Sequence, residues 1–96
     1  MRKGNDYTLK EVLQQMVESY RLRPKLQEAL LQQSWEELVG PAVSKRTLEL
    51  KIKGDVLQIK VISSVLREEL HFSKAHIMKV VNEKLGADVI RGIDLL

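Results

Sequence analysis

The chain has 96 residues, a formal net charge of +3 and 30% charged residues, a composition typical of one ordinary soluble globular domain. It contains no cysteine, which excludes disulfide bonds, thiolate zinc sites and thiol nucleophiles. No apolar run approaches the ~18 residues of a membrane span, and no apolar segment follows the basic start as in a signal peptide, so we expect a cytoplasmic protein.

The first predicted element is a helix over residues 8–20. Thr8 and Glu11 match the capping box, in which each side chain accepts a hydrogen bond from the other residue's free backbone N–H. Behind them apolar residues recur at helical spacing, and we expect this stripe to pack in the core rather than to meet a partner. The stripe consists of Leu9, Val12, Leu13, Met16, Val17 and Tyr20.

A second helix is predicted to begin at Pro24 and to end before Gly40. Proline disfavours helical geometry in the residue before it, so the segment over residues 21–24 is predicted to break the first helix, whereas Pro24 suits the first turn of the next one. A glycine followed by a proline, as at Gly40, is typical of a helix end. We expect the Trp35 ring to pack inward. The apolar side of this helix consists of Leu26, Leu30, Leu31, Trp35 and Leu38.

A β-hairpin is predicted over residues 47–62. Apolar and polar residues alternate on both sides of Gly54-Asp55, a two-residue turn with glycine where a positive φ is required. This turn places both apolar sets on one face, and on the other face it sets Glu49 across from Lys60. The predicted apolar pairs are Ile52 with Leu57, Leu50 with Ile59, and Leu48 with Val61.

A long third helix is predicted from the serine pair Ser63-Ser64, whose oxygens suit a helix start, to Gly86. Because such a helix is longer than the hairpin, we expect a kink or a projecting end over residues 72–74. Its buried stripe is predicted to contain Leu66, Leu70, Ile77, Val80, Val81 and Leu85.

A last strand is predicted from the alternation of Val89, Ile93 and Leu95, and a right-handed crossover makes it parallel to the second strand if the two are neighbours. The order α-α-β-β-α-β predicts an α+β fold, with a small three-stranded sheet covered by helices on one face. We expect a single domain over residues 1–96, with an N-terminal helix and junction over 1–23 and a core over 24–96.

Basic residues are concentrated between Gly40 and Ile62, where five of them accompany two acidic residues, whereas the rest of the chain has eleven of each sign. Such lysines either neutralise the phosphates of a nucleic acid or simply solvate an exposed strand. Because only four aromatic residues are present, we expect any binding to be weak and independent of sequence. The candidate nucleic-acid-binding residues are Lys45, Arg46, Lys51, Lys53 and Lys60.

The sequence contains no recognisable catalytic or metal-binding constellation. His71 and His76 are five residues apart, so on one helix they point in different directions and cannot bind one metal as a pair. The adjacent glutamates at 36–37 and 68–69 diverge around a helix axis, and no glycine-rich phosphate loop is present. We therefore expect a protein that is not an enzyme and that holds no cofactor or metal.

Four blocks of the sequence, in order and at matching spacing over residues 24–96, resemble the DciA-like family. They are Trp35–Gly40, its continuation through Ala42 and Lys45 to Thr47, the serine pair that leads to Glu69 and Leu70, and the helix end formed by Asn82, Leu85 and Gly86. The resemblance implies a bacterial accessory factor of DNA replication that assists the replicative helicase onto DNA. It also implies a folded part similar to a KH domain.

A KH domain clamps the nucleic-acid backbone with a Gly-x-x-Gly loop, and this sequence lacks one, since neither Gly40-Pro-Ala-Val nor Gly54-Asp-Val-Leu has the second glycine. The partners expected from the resemblance are DNA or RNA and the replicative helicase, with no membrane. Two alternatives stay open: an RNA-binding KH-like domain, and a protein-interaction module of the replication machinery with no direct nucleic-acid binding. The module would use the stripe of the first helix and the residues Arg21, Arg23 and Lys25.

Overall fold

The computed structural model describes residues 7–96. In these residues the predicted α+β class is confirmed, with helices on one face of a small three-stranded sheet. The elements are helix α1 (Leu9–Val39), helix α2 (Pro41–Lys45), strands β1 (Thr47–Lys53) and β2 (Val56–Val61), helices α3 (Ser64–His71) and α4 (Lys74–Leu85), and strand β3 (Gly92–Leu95).

The sheet has the strand order β1-β2-β3. Strand β1 is antiparallel to β2, and β3 is parallel to β2, as the crossover argument predicts. Side chains alternate between the two faces, and α1, α3 and α4 cover the face that is apolar. The buried residues of the core are Leu31, Trp35, Leu50, Leu57, Ile59, Val61, Leu66, Leu70, Ile77, Val81, Ile90 and Ile93.

The hairpin has the predicted register near its turn and departs from it at the far end. Ile52 pairs with Leu57 and Glu49 lies across from Lys60, both as predicted. The predicted pairing of Leu48 with Val61 is wrong, because the register shifts between Thr47 and Glu49, and Thr47 takes the place across from Val61. Leu48 becomes the extra residue of a bulge, and its side chain is exposed.

Hydrogen bonds to the hydroxyl of Thr47 explain the bulge. The Trp35 indole Nε1 donates to Thr47 Oγ1 at 3.0 Å, and the same hydroxyl donates to the Val43 carbonyl oxygen at 2.8 Å. Both bonds require Thr47 to point toward α1, so the neighbouring Leu48 is turned outward. Trp35 is only 3% exposed, which confirms the prediction that its ring packs inward.

Helix α1 is continuous through Pro24, so the predicted break at that residue is wrong. A proline inside a helix removes one backbone hydrogen bond, here the one to the Tyr20 carbonyl, and crowds that carbonyl. The residues on both sides include good helix formers (leucine, arginine, lysine and glutamine), and the helix tolerates this loss. At 31 residues α1 is about 46 Å long, and it makes the molecule elongated, 59 Å in its longest dimension.

The continuous helix carries the first predicted apolar stripe out beyond the sheet. All six residues of that stripe are exposed, from 39% for Val12 to 75% for Leu9, so the prediction that they pack in the core is wrong. Leu26 and Leu30, assigned to the apolar side of the second helix, are exposed as well. Only about the last two and a half turns of α1, from Leu31 onward, pack into the core.

The crossover between β2 and β3 consists of two helices. Ser63 caps α3, its Oγ accepting from the Leu66 N–H at 3.2 Å, and α3 ends at His71 before α4 begins at Lys74. The interruption falls in the region of the predicted kink. The side chain of Asn82 then fixes the return to β3: its Nδ2 donates to the Ile90 carbonyl at 2.9 Å, and its Oδ1 accepts from the backbone N–H groups of Val89 and Ile90.

Candidate nucleic-acid interface

The polar face of the sheet is not covered by any of the helices described. The strand registers place one side chain from each strand in rows across this open face. We refer to it as the open sheet face, and its residues are Glu49, Lys51, Lys53, Val56, Gln58, Lys60, Gly92 and Asp94.

Three of the predicted nucleic-acid-binding residues come together on the open sheet face. Lys51 and Lys53 are two residues apart on β1, so they lie on the same side of the strand about 7 Å apart. Lys60 of β2 is the diagonal neighbour of Lys51, at a Cα separation of about 7–8 Å. All three side chains are exposed. Lys51 lies between Lys53 and Lys60, and the three form a cationic cluster.

The other two predicted residues lie at one end of the sheet. Lys45 is the last residue of α2, and Arg46 precedes β1. The Arg46 carbonyl accepts from the Ile62 N–H at 3.0 Å, which places it at the end of the hairpin opposite the turn. Since β1 spans about 20 Å, Lys45 and Arg46 are exposed beyond one end of the open sheet face while Lys53 lies at the other.

Two charged residues that the sequence did not point to belong to the same surface. Asp94 lies across from Gln58 on the open sheet face, so it belongs to the same row as Lys51. The backbone N–H of Arg91 donates to the Asp55 carbonyl at 2.7 Å, so Arg91 sits beside the hairpin turn. Both follow from the pairing of β3 with β2, which joins residues more than thirty positions apart.

The charge of this surface is positive but modest. Lys51, Lys53 and Lys60 are partly offset by Glu49 and Asp94, leaving a small excess on the face itself. Lys45, Arg46 and Arg91 add positive charge at the two ends. Each acidic side chain reduces the positive potential of the face.

The outer edge of β1 is closed by two side chains of α1. The Ile52 N–H donates to Glu28 Oε2 at 3.0 Å, and Gln32 Nε2 donates to the Leu50 carbonyl at 3.2 Å. These backbone groups are the ones that an added strand would need.

The predicted partner-binding residues Arg21, Arg23 and Lys25 lie on a different surface. They are exposed on α1, beyond the end of the sheet, within a continuous helix and not at a junction between two helices. The Arg23 guanidinium lies over the Tyr20 ring, 5.2 Å from its centroid, a cation–π contact that orients the arginine. The structure thus separates the two predicted sites.

The two histidines are on different helices and are both exposed, His71 at the end of α3 and His76 in the first turn of α4. The His71 ring packs edge-on against Phe72, with centroids 5.6 Å apart. Over residues 7–96 there is no group of three histidine, aspartate or glutamate side chains that could hold a metal ion. None of the helices in that range has the length and apolar content needed to cross a membrane.

Comparison with known protein families shows to which family the chain belongs. The family described as "Dna[CI] antecedent, DciA" matches residues 8–95. The chain belongs to the DciA family. The match includes the whole of α1 as well as the sheet and the crossover helices. Membership supports a role related to DNA replication, a process that involves the replicative helicase and DNA. A search of curated proteins found no match.

Proposed function

We propose that this DciA-family chain is an accessory protein of DNA replication that binds nucleic acid weakly and without sequence preference. The observation that supports it best is the cationic cluster of Lys51, Lys53 and Lys60 on the open sheet face. Each ammonium group that contacts a phosphate releases a condensed counterion, and this release supplies the free energy of binding. The proposal is of a binding protein and not of an enzyme.

The side chains of the open sheet face favour binding without sequence preference. Lysine side chains contact phosphates as point charges and do not read base edges. The described part of the open sheet face carries no aromatic side chain on which a base could stack. With three to five phosphates contacted, the logarithm of affinity for a single strand is expected to fall against the logarithm of salt with a slope of about −2 to −3.5.

Assistance to the replicative helicase is the second part of the proposal, and it derives from the family. Its test is a loading assay, in which a purified replicative helicase is offered circular single-stranded DNA with and without this protein. Faster appearance of helicase on the DNA supports the assignment. An unchanged rate over a range of protein concentrations argues against it, whatever the affinity of the protein for DNA.

Nucleic-acid binding is tested by charge reversal, with fluorescence anisotropy of a labelled DNA single strand at low salt as the readout. We define two variants of equal charge. Each reverses four residues, every reversal changes the charge by −2, and the formal net charge goes from +3 to −5 in both. The sheet variant is Lys45→Glu, Arg46→Glu, Lys51→Glu and Lys53→Glu. The helix variant is Lys10→Glu, Arg21→Glu, Arg23→Glu and Lys25→Glu.

We expect the sheet variant to lose measurable binding and the helix variant to retain it apart from the general effect of net charge. Since all reversed side chains are exposed, both variants should keep the far-ultraviolet circular dichroism of the wild type. The reverse pattern would place the site on α1. Failure of the wild type to bind any single-stranded DNA or RNA of the same sequence would reject nucleic-acid binding altogether. RNA bound at least tenfold more tightly than DNA would favour an RNA-binding protein.

A second candidate function, a protein-interaction module, is favoured by the exposed apolar residues of α1. Monomeric proteins rarely expose large contiguous apolar patches, and those that exist often mark interaction sites. The candidate contact consists of the apolar stripe and of Arg21, Arg23 and Lys25 beside it. The two functions use separate surfaces, so one chain can have both.

A further inference from the structure

The N-terminal half of α1 presents an apolar surface beyond the end of the sheet. We call its six exposed residues, Leu9, Val12, Leu13, Met16, Val17 and Tyr20, the α1 stripe. At 100° per residue they fall within about 140° of the helix circumference. The stripe is about 17 Å long between its first and last Cα atoms. A stripe of this width is the one that a helix normally buries.

The α1 stripe faces the side of the helix that the domain occupies further along. Leu13 and Leu31 are 18 residues apart, which is five whole turns, and the same holds for Tyr20 and Leu38. Leu31 is fully buried against the core, and Leu38 packs on it. The stripe therefore forms an inner corner with the turn end of the sheet. A flat bilayer would meet the body of the domain before it reached the stripe, whereas a rod about 10 Å wide fits along it.

The charged residues beside the α1 stripe carry a net positive charge. Lys10 and Arg21 lie beside Leu9, Leu13 and Val17, where Glu18 lines the same groove. Arg23 lies at the C-terminal end of the stripe, next to Met16 and Tyr20. Pairing of two copies through the stripe is disfavoured by this net positive charge. An antiparallel pair brings Lys10 close to the arginines of the other copy, and a parallel pair brings each arginine close to itself.

We propose that the α1 stripe is the docking surface for an amphipathic helix of a partner protein whose polar flanks are acidic. Apolar side chains of the partner at i, i+3, i+4 and i+7 pack on the stripe, and its carboxylates meet Lys10, Arg21 and Arg23. The proposal refines the protein-interaction candidate and is independent of nucleic-acid binding by the sheet. A contact of this length buries less than the ~1,200 Å² of a standard interface, so a dissociation constant in the micromolar range is expected.

The test uses two labelled synthetic peptides of about 18 residues, a length at which an isolated helix is marginally stable. Both carry leucines at helical spacing, and the flanking positions are glutamate in one and lysine in the other. Binding to the intact 96-residue protein is followed by fluorescence anisotropy. We expect the acidic peptide to bind at least about tenfold more tightly than the basic one, because the flanking charges on the protein are positive.

Two pairs of substitutions on α1 locate the contact. Leu13→Ser with Met16→Ser removes the centre of the stripe, and we expect it to weaken binding of the acidic peptide at least about tenfold. Leu22→Ser with Leu26→Ser makes the same chemical change at two exposed leucines outside the stripe, and we expect less than a twofold effect. Neither pair is expected to change binding of single-stranded DNA, so loss of DNA binding and loss of peptide binding are separable.

Four outcomes overturn the proposal. The first is equal binding of the acidic and basic peptides, and the second is no binding of either. The third is a dimer in analytical ultracentrifugation that the Leu13→Ser, Met16→Ser pair dissociates, which would show that a second copy covers the stripe. The fourth is co-sedimentation with vesicles containing phosphatidylglycerol that the same pair abolishes, which would assign the stripe to a membrane surface.

Discussion

The replacement Trp35→Ala is expected to remove a large part of the stability of the domain. The ring is almost fully buried, and deleting a buried tryptophan side chain costs about 3–5 kcal/mol through lost apolar burial and the cavity left behind. A domain of 96 residues is stable by about 5–14 kcal/mol in total. The melting temperature should therefore fall by at least ~12 °C, since each kcal/mol shifts it by about 4–8 °C at this size.

A milder replacement separates the ring from its hydrogen bond. Trp35→Phe keeps an aromatic ring in the core but removes the donor to Thr47 Oγ1, and we expect a cost of about 1–3 kcal/mol. Because Trp35 is the only tryptophan, its fluorescence cannot report on these variants, and urea unfolding followed by circular dichroism is the suitable assay. The matched control is Leu26→Ala, on the same helix but 66% exposed, which should change stability by less than about 0.5 kcal/mol. Equal unfolding midpoints for Trp35→Ala and Leu26→Ala would refute the packing described for α1.

Two further predictions concern the backbone at the ends of elements. Asn82→Ala removes three hydrogen bonds to the segment before β3 and should cost about 2–3 kcal/mol in urea unfolding, whereas Asn82→Asp, which keeps the accepting Oδ1, should cost less. Gly40 has φ 89° and ψ 162°, a conformation that is nearly restricted to glycine, so Gly40→Ala should destabilise by about 1–3 kcal/mol. Gly92→Ala, where the added Cβ meets only Val56 Cγ2 at an ordinary 3.7 Å, is its control, and equal losses at the two positions would contradict the strain argument.

The parts of the fold that depend on neighbouring residues were predictable from the sequence. The hairpin follows from alternation on both sides of one turn, and its central register from the length of that turn. The caps at Thr8 and Ser63 are local side-chain hydrogen bonds, and both form as predicted. The inward packing of Trp35 follows from its size and apolar character.

Several features that depend on distant residues were not predictable. Leu48 continues the apolar alternation perfectly, yet the bonds from Thr47 to Trp35 and Val43 turn it outward. At Pro24 the local preference for a break is real, but the cost of one missing hydrogen bond is smaller than the benefit of a continuous helix. The periodicity of the α1 stripe predicts that its apolar side is covered. It does not tell whether the covering surface belongs to this chain or to another protein.

The candidate interface also combines a feature that the sequence predicts with one that it does not. Exposure of Lys51, Lys53 and Lys60 on one face follows from the hairpin alone. The reduced charge of that face does not, because Asp94 reaches it only through the pairing of β3 with β2. A count of charges along one segment of the sequence therefore overstates the positive potential of the open sheet face, because the distant strand β3 contributes an acidic residue to it.

The proline within α1 divides one helix into two zones of unequal local stability. Residues from Leu31 onward pack in the core, whereas the side chains described before Pro24 are mostly exposed, and an isolated helix of about 15 residues is marginal in water. The missing hydrogen bond to Tyr20 weakens the helix at this point, so we expect fraying to stop only where core packing begins, at Leu31. Amide protons before residue 20 should exchange with solvent at the rate of local opening, and those after residue 30 only at the rate of global unfolding. A ligand on this segment would suppress that opening, so binding would register as slowed exchange far from the sheet.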